Sequence, residues 1–339
     1  MSRTALGSIR QVAASCRSAL HLSHFRVPGG FLKVYNCDQF KVPLPEWHRF
    51  PMIKYTRLRE RLEEASWFDR SQILTPRRAT DDELLRVHDL DYLSRVKSGL
   101  LTPDEVRFLG FPWTPLLVER SRRSVGATIE ASFAAIEDGV AVNLAGGTHH
   151  AFRDRGGGYC VFNDAAVAAR AVQDSGKAVR VLIIDCDVHQ GDGTASLFQD
   201  DVTVFTFSVH GAKNYPPVKP PSDLDVELDD GTGDEAYLDA LEAGLGRAIR
   251  ESKPDLAIYL AGADPFEGDR LGRLKVSKAG LGERDALVFR FCRAGGIPVA
   301  AAMAGGYAEE VEDTVDIHLE TVRQASLFAA GGQMAATGL

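Results

Sequence analysis

Short apolar runs rich in β-branched residues alternate along most of the chain with longer segments of helical hydrophobic spacing. The strand-like runs are 31–35, 140–144, 181–185, 202–209, 256–261 and 297–303. The helix-like segments are 55–65, 82–98, 115–137, 163–174, 234–252 and 278–294. Buried strands that alternate with helices are typical of a parallel sheet covered on both faces. The pattern therefore predicts an α/β fold in which a single open, mostly parallel β-sheet is sandwiched by helices in three layers.

Two local features refine this picture. Thr80 followed three residues later by Glu83 predicts a capping box at the start of the second helix. No internal repeat and no long linker interrupts residues 31–330, so we expect one domain there, with a terminal extension at 1–30 and a tail at 331–339.

The first residues have an unusual composition. Up to Cys37 there is no Asp or Glu, whereas Arg and Ser recur, which is typical of an organelle transit peptide. The alternative is a disordered or spurious extension. A transit peptide would direct the protein to a mitochondrion or plastid, and without one we expect the cytoplasm or nucleus.

The charge and the cysteine content exclude several classes of protein. The formal net charge of −8 argues against a nucleic-acid binder that neutralises phosphates. An acidic body would suit a basic peptide or a polyamine, although a charge of this size is also ordinary for a soluble protein. No apolar run approaches the roughly 18 to 20 residues that span a bilayer, so no membrane partner is expected. The five cysteines form no Cys-x-x-Cys pair, which indicates reduced thiols in an intracellular protein and neither disulfides nor a thiolate zinc site.

Polar residues and glycines follow four of the predicted strands directly. In a parallel sheet, functional groups gather just past the carboxyl ends of the strands, so these segments are expected to face one pocket. The segments are 146–150, 185–193, 262–264 and 305–307.

Asp187, His189 and Asp264 are the candidate metal ligands. Residues two apart on a strand point to the same side, so Asp187 and His189 can bind one ion together. Asp264, after another predicted strand, would complete a set of two carboxylates and one imidazole. Three protein ligands and one open position are the arrangement of a catalytic zinc site. The alternative for an isolated Asp-x-His pair is a loop cap or a surface polar pair, and the surrounding glycines favour the metal site.

His149 and His150 are candidate acid–base residues, although adjacent histidines can also be unrelated loop residues. Asp185 and Asp192 are each suited to orient one imidazole through its distal N–H group. Such a pairing sets the tautomer and tunes the pKa of the imidazole for proton transfer near neutral pH. Tyr307 is a candidate donor to a developing oxyanion, or else a packed aromatic residue.

Together these motifs resemble the zinc-dependent histone deacetylases, most closely their class IV branch, which have an arginase-like α/β fold. The resemblance extends from about residue 31 to the last helix, and the order and spacing of its motifs are more specific than any one of them. The matching segments are 47–52, 84–88, 92–93, 143–150, 158–164, 185–193, 262–264, 267–272 and 305–307.

The resemblance implies a role for every candidate above. It implies that Asp187, His189 and Asp264 bind zinc, and that His150, paired with Asp192, transfers the proton. His149 with Asp185 would be the electrostatic partner pair, and Tyr307 would polarise the amide carbonyl.

The resemblance also implies positions around the substrate. Gly158 and Tyr159 would line an acyl-lysine tunnel, with Val276 as a further wall position. Arg49 matches a position that lies near an internal channel for acetate release. The acidic residue that holds the substrate backbone in other classes of the family has no clear counterpart.

A second ion and some departures complete the comparison with the family pattern. Asp185 and Ser208, with nearby backbone carbonyls, match a structural monovalent-cation site that usually holds potassium. Gln190 replaces a second histidine, as it also does in class IV. Tyr159 replaces the commoner phenylalanine, and Ala304 stands where a third glycine is frequent, so the acyl-chain selectivity is open.

The expected function is therefore zinc-dependent hydrolysis of acyl-lysine amides in a protein or peptide, with acetyl as the default acyl group and a long-chain fatty acyl group as the alternative. An acetylated polyamine is an alternative substrate. A binuclear manganese ureohydrolase is disfavoured because the second set of bridging carboxylates is missing after His189 and Asp264. A catalytically silent scaffold that binds acyl-lysine is the non-enzymatic alternative. The sequence does not indicate an oligomeric state.

Overall fold

The computed structural model describes residues 32–45 and 47–330, and the strands in this part of the chain form one open sheet. They are β1 Lys33–Tyr35, β2 Ile73–Leu74, β3 Val140–Asn143, β4 Val181–Asp185, β5 Val204–Gly211, β6 Leu224–Leu228, β7 Leu256–Ala261 and β8 Val299–Met303. Their spatial order is β2-β1-β3-β8-β7-β4-β5-β6, and all neighbouring pairs are parallel. The predicted open, parallel sheet is confirmed.

Helices cover both faces of this sheet. They are α1 Ile53–Glu64, α2 Asp81–Leu85, α3 Leu90–Ser98, α4 Pro103–Leu109, α5 Pro115–Asp138, α6 Asp164–Asp174, α7 Asp192–Phe198, α8 Asp234–Ser252, α9 Lys278–Gly295 and α10 Val311–Ala329. Helices α5 and α6 pack together on one face, whereas α1, α8, α9 and α10 form a continuous layer on the other.

The alternation of side chains along the strands builds two hydrophobic cores. In β4, Leu182 and Ile184 belong to the core under α8 and α9, while Val181 and Ile183 belong to the core under α5 and α6. Successive strand residues point to opposite faces, so a central strand must be apolar throughout. This explains why the central strands were recognisable as unbroken apolar runs.

The predicted helix over 82–98 was wrong as a single element. The capping box of Thr80 and Glu83 is confirmed, but the helix that it begins ends at Leu85 and a second helix starts at Leu90. Between them the ring of His88 contacts the carbonyl of Phe152 at 2.8 Å, and the next backbone N–H donates to the loop that follows Phe152. Because the Asp89 N–H donates to this loop and not to the carbonyl four residues earlier, the helix does not continue.

The pattern also missed the two edge strands. β2 has only two residues, which is too short for a periodic signal. β6 lies at the opposite edge, and its three central residues are partly or fully exposed, so its composition is mixed. Edge strands are buried less than central ones and carry a weaker apolar signature.

Two sequence predictions lie outside the described residues, namely the transit peptide at 1–30 and the tail at 331–339. Among the helices of the described part, none combines the length and the apolar character needed to cross a membrane.

Candidate active site

The four polar segments lie at the carboxyl ends of four consecutive strands of the sheet. These strands are β3, β8, β7 and β4, which are direct neighbours in that order. All run parallel, so the residues that follow them emerge at one edge. The topology therefore brings together side chains that are up to 158 positions apart in the sequence, from His149 to Tyr307.

Asp187, His189 and Asp264 form a compact group of potential metal ligands. One ligand atom from each lies within 4.8 Å of the others. His189 Nδ1 lies 2.9 Å from Asp187 Oδ1 and 3.2 Å from Asp264 Oδ2, so this ring nitrogen faces both carboxylates. Both aspartates are buried, whereas the His189 side chain keeps 12% of its surface exposed.

The electrostatics of this group suit a cation. Burial, and then the charge of Asp187, raises the pKa of Asp264 to about 7. Asp264 Oδ2 is buried and makes no hydrogen bond within the described chain. A buried carboxylate oxygen without a hydrogen bond is costly, and a divalent cation would satisfy it.

Glycine at position 305 allows the two carboxylates to approach the end of β8. The Gly305 N–H donates to Asp187 Oδ2 at 2.7 Å. A Cβ at this position would overlap Asp264 Oδ2 and would lie 2.5 Å from Asp187 Oδ2. Any side chain there would displace the candidate ligands.

Each histidine of the adjacent pair contacts its own aspartate. His149 Nδ1 lies 2.7 Å from Asp185 Oδ2, and His150 Nδ1 lies 2.7 Å from Asp192 Oδ1. An aspartate at Nδ1 fixes the ring orientation and leaves Nε2 for a reacting group. The two rings lie with their centroids 4.1 Å apart.

The two imidazoles have opposite pKa shifts. Burial would lower the pKa of His149, but Asp185 and Asp187 outweigh burial and raise it to about 9. Burial, and then the neighbouring His149, lowers the pKa of His150 to about 4. His150 is therefore the neutral member of the pair at pH 7, which is the form that accepts a proton.

Tyr307 lies beside the ligands, and its loop is fixed from two sides. Its backbone N–H donates to Asp269 Oδ2 at 2.6 Å. On the other side the buried Lys54 Nζ donates to the carbonyls of Ala304 and Gly306, both at 3.3 Å, and lies 5.4 Å from the centre of the Tyr307 ring. Sequence reasoning missed Lys54; a lysine directly before Tyr55 on the apolar side of α1 was the available signal.

Two cavities meet at these residues. The inner cavity measures about 70 Å³, and the outer one, which forms the mouth, measures about 780 Å³. His150, Gly158, Tyr159, His189 and Tyr307 line both, so the candidate acid–base, ligand and oxyanion residues lie at the junction.

A tight turn presents one wall of this junction. Gly158 and Tyr159 have φ values of 51° and 67°, in the left-handed region that is unusual for tyrosine. A Cβ at Gly158 would lie 2.6 Å from His150 Cδ2. The opposite wall is Tyr215, whose ring lies edge-on to His150 with centroids 4.9 Å apart. Sequence reasoning missed Tyr215, for which an aromatic residue just past a strand end was the only signal.

Two predicted substrate-site residues lie elsewhere. Arg49 is exposed and lines neither cavity, because His48 and Phe50 turn inward, and His48 Nε2 contacts the carbonyl of Gly110 at 2.9 Å. The arginine that lines the inner cavity is Arg120 of α5, which is buried and lies 4.3 Å from the centre of the Tyr55 ring.

Val276, which the sequence analysis placed at the wall of the acyl-lysine tunnel, also lies elsewhere. It is fully buried in the hydrophobic core and forms a β-bridge with Phe266. Asp269 Oδ1 accepts hydrogen bonds from the backbone of Leu271 and Gly272, and this turn brings Leu271, not Val276, to the mouth.

Asp185 and Ser208, the predicted monovalent-cation residues, are direct partners across β4 and β5. Both are buried, and Ser208 Oγ lies 2.9 Å from His210 Nδ1. The register of β4 and β5 thus brings together the two side chains that the family resemblance assigned to one cation site.

The similarity of most of the chain to a known family decides where it belongs. The family model described as histone deacetylase domain matches residues 48–322. This chain belongs to the histone deacetylase family. The histone deacetylase fold and the deacetylase type of hydrolase are thereby confirmed, whereas the class IV branch stays a prediction.

Individual known proteins also resemble the chain over most of its length. An uncharacterized protein of Picosynechococcus sp. is 46% identical over 85% of this chain and 96% of its own. Histone deacetylase 2 of Arabidopsis thaliana is 33% identical over 90% of this chain and 82% of its own. Among solved structures, a histone deacetylase homologue from Aquifex aeolicus has a TM-score of 0.74 at 24% identity, covering 87% of this chain and 84% of that one. This last likeness supports the fold alone.

Proposed function

We propose that this protein is a zinc-dependent hydrolase of acyl-lysine amides, in the class IV-like branch of the family. The observation that carries the proposal is the junction of the two cavities. There the three-ligand group adjoins two features. One is the neutral His150, which Asp192 holds, and the other is the loop that carries Tyr307. These are the parts that hydrolysis of an amide by an activated water requires.

Zinc fits the ligand group best among the candidate metals. One imidazole nitrogen and two carboxylates are an ordinary ligand set for zinc with one position open to water or substrate. Within the described residues they are the one group of three or more potential ligands, which favours a mononuclear site over the binuclear manganese site of the ureohydrolase alternative. When bound, zinc would supply Lewis-acid activation of the water and of the amide carbonyl.

The residues around the group divide the proton transfers between them. His150 Nε2 takes a proton from the attacking water and gives it to the departing lysine nitrogen, while Asp192 keeps the ring in one orientation through Nδ1. His149, held by Asp185, stabilises the charge that develops beside it. The Tyr307 hydroxyl donates a hydrogen bond to the carbonyl oxygen as negative charge builds up there.

The walls of the junction hold the acyl-lysine side chain. Gly158 offers a surface without a side chain, and Tyr159 and Tyr215 enclose the aliphatic part of the lysine between aromatic faces. We also propose potassium near Asp185 and Ser208, where an ion would stiffen the start of the ligand segment.

Turnover of matched peptides by the full-length protein tests this function. The protein is titrated with zinc, and release of acetyl and of myristoyl is measured from otherwise identical lysine peptides, with Tyr307→Phe as control. We expect turnover to saturate at one zinc per chain and to fall about 100-fold or more in the control.

The same experiment separates the alternatives. Turnover of an acetylated polyamine but of neither peptide would replace the substrate. A requirement for two manganese ions would favour the ureohydrolase. Binding of the peptides with one zinc and no turnover of any substrate would leave a scaffold. The ratio of the two peptide rates decides between acetyl and long-chain fatty acyl groups.

A further inference from the structure

The mouth of the active site carries an excess of basic side chains. Arg107 of α4, Lys213 after β5 and Arg273 line it, and Asp104 is the one acidic residue among its lining residues. The three basic side chains are 76%, 67% and 55% exposed, so they are available to a bound substrate. This local excess contrasts with the net charge of −8 of the whole chain.

The acidic residues near the mouth neutralise this excess only in part. Asp104 contacts Arg107 at 2.5 Å on the same helix. Asp230, which lies outside the mouth, is shared by Lys213 at 3.8 Å and Arg273 at 3.3 Å. Two carboxylates thus face three basic groups.

A fourth cation stands behind one side of the mouth. Lys219 Nζ donates to the carbonyls of Ala212, Asn214 and Pro216, and no carboxylate of the described chain forms an ion pair with it. These bonds tie the loop that carries Lys213 to a second positive charge. The positive character therefore belongs to the loop as a whole, not to one flexible side chain.

We propose that the mouth selects acyl-lysine peptides with acidic residues next to the modified lysine, and that it disfavours basic peptides and acylated polyamines. The inference rests on the proposed function, since the flanking residues of a peptide lie over the mouth only when its acyl-lysine enters the junction. Carboxylates would contact Lys213 and Arg273, whereas additional ammonium groups would be repelled. The group that the mouth recognises is a carboxylate close to the acylated amine of the substrate.

The charges are exposed, which sets the size and the salt dependence of the effect. Exposed ion pairs are individually weak, and salt screens them over about 10 Å at 0.1 M ionic strength and about 3 Å at 1 M. We expect kcat/KM for an acidic peptide to exceed that for a basic one by about tenfold at low salt. The ratio should approach one at high salt.

The test uses the full-length zinc-loaded protein and three acetyl-lysine peptides with capped ends that differ only in having Glu, Gln or Lys beside the modified residue. A double variant with Lys213→Glu and Arg273→Glu should reverse the preference. The matched control is Arg247→Glu on α8, a residue 53% exposed that lines neither cavity, and it should leave the preference unchanged.

Equal rates for the acidic and basic peptides at low salt, or a preference that survives the double variant, would overturn the proposal while the proposed function stands. No turnover even of the Gln peptide would overturn both. Free Nε-acetyl-lysine carries its own carboxylate; faster hydrolysis of it than of all three peptides would overturn the assignment to a peptide.

Discussion

Lys54→Met should lower kcat by about 10- to 100-fold without unfolding the protein. Lys54 is 2% exposed, and its ammonium group holds the loop before Tyr307 through the carbonyls of Ala304 and Gly306. Its Nζ atom also lies 5.5 Å from the centre of the Phe50 ring and 5.4 Å from the centre of the Tyr307 ring. No carboxylate of the described chain pairs with it, and both of its side-chain hydrogen bonds there go to this loop.

The magnitude follows from these contacts. A hydrogen bond from a charged donor contributes roughly 1.5–3 kcal/mol, and the two Nζ–O distances of 3.3 Å are long enough to place each bond at the low end of that range. Loss of a whole oxyanion donor costs about 2.7–4 kcal/mol, which is the upper limit for misplacing Tyr307. A loss of roughly 1.5–3 kcal/mol in transition-state stabilisation corresponds to about 10- to 100-fold in rate.

Stability should change much less than activity. Burial lowers the pKa of Lys54 to about 8, which shows that the charged form is held against a desolvation cost. Methionine has a similar length and removes that cost while it fills the space. The matched control is Arg293→Met, because Arg293 also donates to two backbone carbonyls and lies over the Phe328 ring, but lines neither cavity. That variant should keep its kcat.

A double-mutant cycle decides whether Lys54 acts through Tyr307. The assay is steady-state hydrolysis of an acetyl-lysine peptide by the wild type, Lys54→Met, Tyr307→Phe and the double variant. If Lys54 positions the phenol, its loss should cost less than twofold once the hydroxyl is gone, and KM should change little. Full additivity of the two losses would refute the reasoning.

Three further predictions concern other residues. Gly158→Ala should lower kcat at least tenfold because its Cβ would press on His150, whereas Gly176→Ala, with a similar φ of 72° and open space, should cost stability alone. Asp264→Asn should reduce bound zinc from one per chain to near zero, and a chelator should then lower the Tm of the wild type but not of the variant. Burial lowers the pKa of His88 from 6.5 to about 4. The neutral ring therefore contributes to the unfolding free energy above pH 6.5, and roughly 3 kcal/mol of this contribution is lost as the pH falls towards 4. His88→Asn should flatten the curve of unfolding free energy against pH in that window.

Each of these has an outcome that contradicts it. Equal kcat losses for the two glycine variants would trace the effect to backbone strain, not to the histidine. Full zinc occupancy in Asp264→Asn would remove this residue from the ligand set. Parallel stability curves for wild type and His88→Asn between pH 6.5 and 4 would assign the acid sensitivity to other groups.

The sequence determined the architecture and most of the candidate site. Central strands such as β4 and β7 are buried on both faces, so apart from Asp185 at the end of β4 their residues are apolar and the run is visible without a structure. The residues just past their ends are polar and flanked by glycine for a local reason, because a site at a strand end needs a sharp turn and close backbone approach. Asp187, His189 and Asp264 could therefore be selected from the chain alone.

Only the tertiary structure decided which way the less regular segments face. Arg49 and Val276 were assigned by their place in a motif, but hydrogen bonds to other loops turn one outward and bury the other. Lys54 looked like an ordinary helix lysine until the loop of Tyr307, some 250 positions later, was packed against it. The net charge of −8 suited a basic partner, yet the fold gathers basic side chains from separate segments around the mouth. Local periodicity records how much of a segment is buried, whereas the direction of a loop side chain and the charge of a surface depend on contacts between residues far apart in the chain.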